Sequence, residues 1–227
     1  MFSEFRKDMS LLNVRILFSD QSLLVCEKPV GISSESPGLP ELLKEKTHTD
    51  CYPVHRLDIG TGGACVLALN QKTSRHLQLL FQNGKIKKEY LAVIAGMPES
   101  ASGEYNDFLF HDTRINKTYV VSSLRKGVKK ASCSWNLLET AETDGQAVSL
   151  IRVRLATGRT HQIRVQFASR GVPLVGDRRY GSKTKSGTIA LWSNRICFQH
   201  PEKPDQTVNA VSIPPSVFPW VLFPSLN

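Results

Sequence analysis

The chain has 227 residues, enough to bury a full core in one large domain or two small ones without metals or disulfides. Its 41% hydrophobic and 22% charged residues are typical of a globular protein and exclude wholesale disorder, and its 15 glycines without a three-residue period exclude collagen. Lys and Arg exceed Asp and Glu by 29 − 20 = 9, and this charge favours a polyanionic partner, either nucleic acid or an anionic membrane surface.

The first third of the chain is predicted to contain short strands, a loop and one helical segment. Residues 14–28 are predicted to form two strands around a turn at Ser19-Asp20-Gln21-Ser22, because Val14, Ile16 and Phe18 alternate and Leu23-Leu24-Val25 is a buried-type run. Prolines and glycines make 29–40 a loop, and one or two helical turns follow over 41–46. The continuous apolar run of 64–69 predicts a buried central strand.

The middle of the chain is predicted to be one helix followed mainly by strands. The apolar spacing of 71–83 favours a helix that ends at Asn83-Gly84. The next segment, 87–95, is predicted to be a strand that begins with two basic residues, Lys87 and Lys88. Further strands are expected at 104–124, 131–138 and 148–155.

A second helix is predicted over 161–170, with Thr160 as its N-cap and Gly171 at its C′ position. Arg164 lies near the start of this helix, where a cation opposes the helix dipole and needs a carboxylate partner. The chain is then strand-like to Phe198 and proline-rich to its end.

Strands outnumber helices, and the helices fall between groups of strands. We therefore expect an α+β fold, with a single domain over 1–227 on a mostly antiparallel mixed β-sheet flanked by helices and loops.

Cysteine usage and the N-terminus indicate a cytoplasmic protein. The five cysteines are scattered, odd in number and without a C-x-x-C spacing, so they are expected to be reduced rather than paired or zinc-bound. Residues Met1 to Asp8 lack the apolar core of a signal peptide, and no apolar run is long enough to cross a membrane.

The usual cofactor motifs are missing. Gly60-Thr61-Gly62 begins like a dinucleotide fingerprint, but Cys65 stands where the third glycine should be. No G-K-[ST] phosphate loop is present, and the six histidines lack metal-ligand spacing. We therefore expect no nucleotide cofactor and no metal.

Three segments combine charged or aromatic residues with the ends of apolar elements, where function concentrates. They are His55-Arg56-Leu57-Asp58, Lys87-Lys88-Glu89-Tyr90 and Gly158-Arg159-Thr160-His161-Gln162-Ile163-Arg164. Singly, Asp58 could be a turn residue, Tyr90 a strand aromatic and Arg164 a solvated helix residue. Together they fit an enzyme that flips an RNA base, with cations on phosphates, an aromatic on the base and a carboxylate for chemistry.

These segments resemble the RluA family of pseudouridine synthases, from about Ile16 to about Phe198. The resemblance also includes the opening Lys28-Pro29-Val30-Gly31 and, downstream, Gly176-Asp177 and Tyr180-Gly181. One departure is Thr61-Gly62-Gly63, where the family usually has Thr-Ser-Gly.

The resemblance implies a role for each candidate site residue. Asp58 matches the catalytic aspartate, and Tyr90 matches the tyrosine that stacks on the target base. Arg164 matches the arginine that pairs with the catalytic carboxylate, and Ile163 matches an apolar residue of the pocket. Arg56 matches an arginine that, in some relatives, enters the space vacated by the flipped base.

The resemblance implies an RNA pseudouridine synthase that isomerises uridines in tRNA or rRNA by base flipping and uses no cofactor. We expect a monomer that lacks the separate N-terminal RNA-binding domain of many relatives. Whether the carboxylate acts as nucleophile, base or electrostatic stabiliser stays open. Two alternatives are a non-catalytic RNA-binding or RNA-folding protein on the same scaffold, and a basic hydrolase that uses Asp58 with His55 or His161.

Overall fold

A computed structural model describes residues 14–184 and 186–226, so the predicted lack of a signal peptide at Met1 to Asp8 lies outside the described residues. The strands are β1 (Ile16–Ser19), β2 (Leu23–Lys28), β3 (Tyr52–Pro53), β4 (Gly62–Ala68), β5 (Lys87–Ala95), β6 (Ser102–Asp112), β7 (Lys117–Val121), β8 (Val128–Thr143), β9 (Gln146–Leu155), β10 (Leu191–Gln199) and β11 (Thr207–Val211). The helices are α1 (Leu39–Thr47), α2 (Gln71–Gln82) and α3 (Gln162–Ala168), with short 3-10 turns at Arg178–Tyr180, Trp220–Leu222 and Pro224–Leu226.

The described chain divides into two compact units. The first comprises the described residues up to Ile86 together with Ser193–Ser212, and the second comprises those of Lys87–Trp192 and from Ile213 onward. Strands predominate in both units, which confirms the predicted α+β class.

The first unit is built on antiparallel strands in the order β1-β2-β4-β10, with β3 on β4 and β11 on β10. Every residue of β4 is buried, as its continuous apolar run predicts. Leu77 of α2 and Val66 of β4 belong to the core of this unit. Asn70 caps α2 because its side chain accepts a hydrogen bond from Thr73 N at 2.8 Å.

The second unit is an antiparallel sheet in the order β5-β9-β8-β6-β7. Helix α3 packs on one face of it, where Val165 contacts Leu109 and Ala131. Phe167 of the same helix lies edge-on to Tyr105, with ring centroids 5.0 Å apart. The sheet therefore fixes the position of α3, which carries two of the candidate site residues.

Two predicted details are wrong. Thr160 is not the N-cap of α3, because His161 takes the cap position in a left-handed conformation (φ = +53°) and the helix begins at Gln162. The carbonyl of Thr160 instead accepts a hydrogen bond from Thr118 Oγ1 at 2.9 Å. The proline-rich tail also contains β11, where Val208 and Ala210 alternate with exposed residues and pack inward.

All five cysteines are free, as predicted. Four are buried, and burial raises the pKa of the Cys65 and Cys133 thiols to about 12. No helix among the described residues is long and apolar enough to cross a membrane.

Candidate active site

Asp58 lies in a tight turn between β3 and β4, and its side chain is half-buried. Its carbonyl oxygen accepts a hydrogen bond from Thr61 N at 2.9 Å, which closes the turn. Gly63, two residues after Thr61, has φ = +106°, and a Cβ at this position would lie 2.3 Å from the carbonyl oxygen of Ser193. Only glycine fits there, so Gly63 sets where the turn joins β4.

A second loop, 29–34, clasps the Asp58 turn through hydrogen bonds. Ser34 Oγ accepts from Leu57 N at 3.0 Å and donates to Leu57 O at 3.1 Å. Gly31 N donates to Ile59 O at 2.8 Å. Because the residues on both sides of Asp58 are bonded to one loop, the backbone that carries the carboxylate is held in a single conformation.

The side chain of Lys28 is buried completely beneath these two loops. Its Nζ donates to the carbonyl oxygens of Ile32 at 2.7 Å and Pro29 at 2.9 Å, with Ile59 O at 3.5 Å. Burial lowers the pKa of Lys28 to about 8, while the negative charge of Asp58 acts in the opposite direction. Lys28 therefore supports the Asp58 turn through backbone carbonyls and contributes a positive charge near the carboxylate.

The buried ammonium of Lys28 makes stability depend on pH. We expect the free energy of unfolding to increase between pH 8 and about pH 10.5, because native Lys28 loses its proton near pH 8 whereas unfolded lysine keeps it until about 10.5. In this window the unfolded chain binds more protons, so stability increases with pH. Denaturant titrations should show an extra gain of about 3 kcal/mol that Lys28→Met lacks. An equal gain in both proteins would contradict a buried charge at Lys28.

Two further residues of the predicted segment have defined partners. His55 Nε2 accepts a hydrogen bond from Val66 N at 3.0 Å, and its ring stacks on Phe81 with centroids 4.5 Å apart. Because the lone pair of Nε2 already accepts this hydrogen bond from the backbone, His55 is poorly suited to be the base of a hydrolase. Arg56 is exposed, and its Nη1 lies 3.2 Å from Oε2 of Glu35.

Tyr90 lies in the middle of β5, opposite Val153 of β9, and is buried. Its neighbour Glu89 lies within ion-pair distance of two arginines of β9, at 3.7 Å from Arg152 Nε and 3.6 Å from Arg154 Nε. Successive residues of a strand point to opposite faces, so these ion pairs lie on the other face of the sheet from the Tyr90 ring. Tyr90 is therefore held on a rigid strand rather than on a loop.

Arg164 forms a bidentate salt bridge within the second unit. Its Nε lies 2.7 Å from Asp177 Oδ2, and its Nη2 donates to Asp177 Oδ1 at 2.9 Å. Both side chains are almost completely buried, so the pair is far less screened than a surface pair. Asp177 thus supplies a carboxylate partner for Arg164, and the pairing of Arg164 with Asp58 stays a prediction.

A hydrogen-bond network centred on Tyr180 holds the start of α3. The Tyr180 hydroxyl accepts from Thr118 N at 2.8 Å and shares a hydrogen bond of 3.0 Å with His161 Nδ1. The guanidinium of Arg164 lies 5.1 Å from the centre of the Tyr180 ring. Burial raises the pKa of the Tyr180 phenol, which favours the neutral hydroxyl that this network requires. These contacts also engage His161, the second histidine considered for a hydrolase.

An open pocket of about 370 Å³ lies beside the Arg164–Asp177 pair. Its lining includes Arg164, Asp177, Arg178, Arg179, Ser186 and Ile189. The pocket therefore joins a buried ion pair to exposed arginines, an arrangement suited to an anionic ligand. Among the described residues, no group of three or more His, Cys, Asp and Glu side chains could hold a metal ion.

The five candidate residues are distributed over both units. Asp58 and Arg56 lie on one turn of the first unit, and Tyr90, Ile163 and Arg164 lie in the second, where Ile163 is buried next to Arg164 on α3. Sequence reasoning assigned no role to Lys28 or Asp177. The unfavourable position of Arg164 in the helix dipole signalled a carboxylate partner, and the Gly176-Asp177 motif contained one.

A family model described as RNA pseudouridylate synthase matches residues 22–169. An uncharacterized RNA pseudouridine synthase of Zymomonas mobilis is 36% identical over 183 residues, which cover 77% of this chain and 81% of the relative. The dual-specificity RNA pseudouridine synthase RluA of Salmonella typhimurium is 35% identical over 196 residues, covering 82% of this chain and 87% of the relative.

Two solved human structures share the fold. RNA pseudouridylate synthase domain containing 1 superposes with a TM-score of 0.79 at 23% identity, covering 95% of this chain and 86% of that chain. RNA pseudouridylate synthase domain containing 4 gives a TM-score of 0.75 at 20% identity, covering 95% and 94%. These similarities confirm the fold expected from the sequence.

Proposed function

Because this chain belongs to the RluA family of RNA pseudouridine synthases, we propose that Asp58 is the catalytic carboxylate with which it isomerises uridine to pseudouridine in RNA. The observation that carries the proposal is the clasp on the Asp58 turn, made by Lys28, Gly31 and Ser34. A carboxylate that must meet one ribose carbon needs such a fixed backbone. A solvated turn residue would not.

The proposed isomerisation needs this carboxylate and no cofactor. The reaction breaks the N1–C1′ bond of uridine, turns the uracil and joins its C5 to C1′. A proton leaves C5 and one is taken up at N1, so atoms and electrons balance without a cofactor. At C1′ the Asp58 carboxylate can serve as nucleophile, as base or as electrostatic stabiliser, as carboxylates do in glycoside chemistry.

We assign the other candidate residues to the flipped base. Extruding a uridine from its stack costs a few kcal/mol, which stacking on the rigidly held Tyr90 ring would offset. Ile163 would line the pocket, and Arg164, oriented by Asp177, would pair with Asp58 as well. Arg56 would enter the space that the base leaves. Its exposed ion pair with Glu35 stabilises the protein by at most about 1 kcal/mol, so this arginine is easily released.

The substrate proposed is a uridine of tRNA or rRNA. Support comes from the excess of nine positive charges and from the Salmonella typhimurium relative, whose name declares dual specificity. We further propose that residues 1–227 act as one catalytic domain and as a monomer. The five free cysteines suit a reducing compartment, and we therefore propose the cytoplasm.

Mapping of pseudouridines tests this function. The purified protein is incubated with unmodified tRNA and rRNA transcripts, and the pseudouridines are located by their alkali-resistant carbodiimide adducts. We expect new adducts at one or a few uridines, in tRNA, in rRNA or in both, without any added cofactor. A protein that binds these RNAs but yields no adduct on either would contradict the proposal and favour a non-catalytic RNA-binding protein.

A further inference from the structure

Residues 113–130 carry an unusual share of the positive charge. This segment, here named the basic arm, comprises the turn after β6, strand β7, the following loop and the start of β8. It contains six cations and no Asp or Glu: Arg114, Lys117, Arg125, Lys126, Lys129 and Lys130. Eighteen residues thus contribute +6 to a chain whose net charge is +9.

Four of these cations are exposed and make no ion pair within the described part of the chain: Arg125, Lys126, Lys129 and Lys130. Many exposed cations elsewhere have carboxylate partners. Lys44 Nζ lies 2.7 Å from Asp50, and Lys203 Nζ lies 2.8 Å from Asp20. Arg114 of the arm is likewise paired, with Asp112 at 3.5 Å. The four cations without such a partner are therefore available to a ligand.

Aromatic side chains lie among these cations. Phe110 of β6 is directly opposite Tyr119 of β7, so both rings are on one face of the sheet. The Arg125 guanidinium lies 5.9 Å from the Phe110 ring, and Lys117 Nζ lies 5.5 Å from the partly exposed Tyr119 ring. Cations interleaved with partly exposed aromatic rings suit a nucleic acid, which offers both phosphates and base faces.

The basic arm is attached directly to the pocket beside Arg164. Arg179 Nη1 donates to the carbonyl oxygens of Ile115 at 2.8 Å and Asn116 at 3.0 Å, in the turn of the arm. Tyr180, which follows Arg179, accepts the hydrogen bond from Thr118 N of β7. Positive charge therefore continues from the arm, through Arg178 and Arg179, to the pocket.

We propose that the basic arm and the rim formed by Arg178 and Arg179 are one surface that binds the phosphodiester backbone of RNA next to the target uridine. This inference rests on the proposed function for the identity of the RNA. The surface supplies affinity that does not depend on base sequence, because its cations are positioned for phosphates, whereas Asp58 supplies the chemistry. A phosphate held at Arg178 would lie at the pocket that Arg164 lines, which would align the strand for base flipping.

The test variant is Arg125→Gln/Lys126→Gln/Lys130→Gln, measured by binding of labelled, unmodified tRNA transcript over a range of KCl concentrations. Lys129 is left in place because it alternates with Lys130 along β8 and so points to the other face of the sheet. We expect affinity to fall roughly tenfold or more near physiological salt, and the slope of log K against log [KCl] to become shallower by about 2, since each lost phosphate contact removes about 0.7 to 0.9. Arg178→Gln should make this slope shallower by about 0.7 to 0.9, the contribution of one phosphate contact.

The matched control is Lys44→Gln/Lys72→Gln/Lys203→Gln, which removes the same charge from paired lysines of the first unit. This control variant should show the same slope of log K against log [KCl] as the wild-type protein. An unchanged slope in the arm variant, or an equal change in the control, would overturn the proposal. Failure of the proposed function is distinguishable, because the unchanged protein would then make no pseudouridine whatever the arm variant does to binding.

Discussion

Asp58→Asn is expected to abolish pseudouridine formation while the fold and RNA affinity stay close to those of the unchanged protein. The amide is nearly isosteric with the carboxylate but can serve neither as nucleophile nor as base. Removal of one group positioned for proton transfer costs about 10²–10⁴-fold, so we expect a loss of about a thousandfold or more in single-turnover rate. Binding should persist because phosphate contacts supply most of the affinity.

The experiment needs a control for the loss of a carboxylate as such. Asp50→Asn removes an exposed carboxylate that pairs with Lys44 in the same unit, and it should leave the rate unchanged. Thermal unfolding and tRNA binding are measured for both variants. Near-normal turnover by Asp58→Asn would show that this aspartate is not the catalytic group.

Arg164→Met is expected to reduce both stability and catalysis. The substitution leaves Asp177 buried without its cation, and breaking a buried pair in this way costs about 3–5 kcal/mol. The rate should fall as well, because the group that we propose to align Asp58 is lost. Arg164→Lys should recover only part of either property, since an ammonium cannot reproduce the bidentate contact with both oxygens of Asp177.

A double variant separates the two effects of Arg164. Arg164→Met/Asp177→Asn removes both charges, so no uncompensated ion is left and much of the lost stability should return. If Arg164 acts on the reacting groups, the single-turnover rate stays low in the double variant. Recovery of the rate together with stability would mean that Arg164 only holds Asp177 and the start of α3.

Helices and strands could be predicted from the sequence where their apolar pattern and their end residues are local in the chain. The strand predicted at 87–95 has those bounds as β5, and α2 differs from its prediction by one residue at its end. The start of α3 could not be predicted in this way. There, the side chain of Gln162 accepts hydrogen bonds from Thr157 Oγ1 and Arg159 N, and Thr160 is bonded to Thr118, 42 residues away.

The candidate site likewise contains some residues that the sequence could identify and others that only the folded structure identifies. Resemblance of motifs sufficed to select Asp58, Tyr90 and Arg164 as candidates. The roles of Lys28 and Asp177 depend on burial, which a sequence does not display, because a lysine is exposed in most proteins. Lys28 becomes informative only when three backbone carbonyls surround its Nζ, one of them 31 residues away at Ile59.

The unpaired cations of the basic arm imply a trade-off between binding and folding stability. Like charges that have no carboxylate nearby repel one another in the folded protein, so the native state pays for its RNA affinity in free energy of unfolding. Salt screens this repulsion over about 10 Å at 0.1 M. Ionic strength should therefore have opposite effects on the two properties, since it stabilises the fold of the arm while weakening its attraction for RNA.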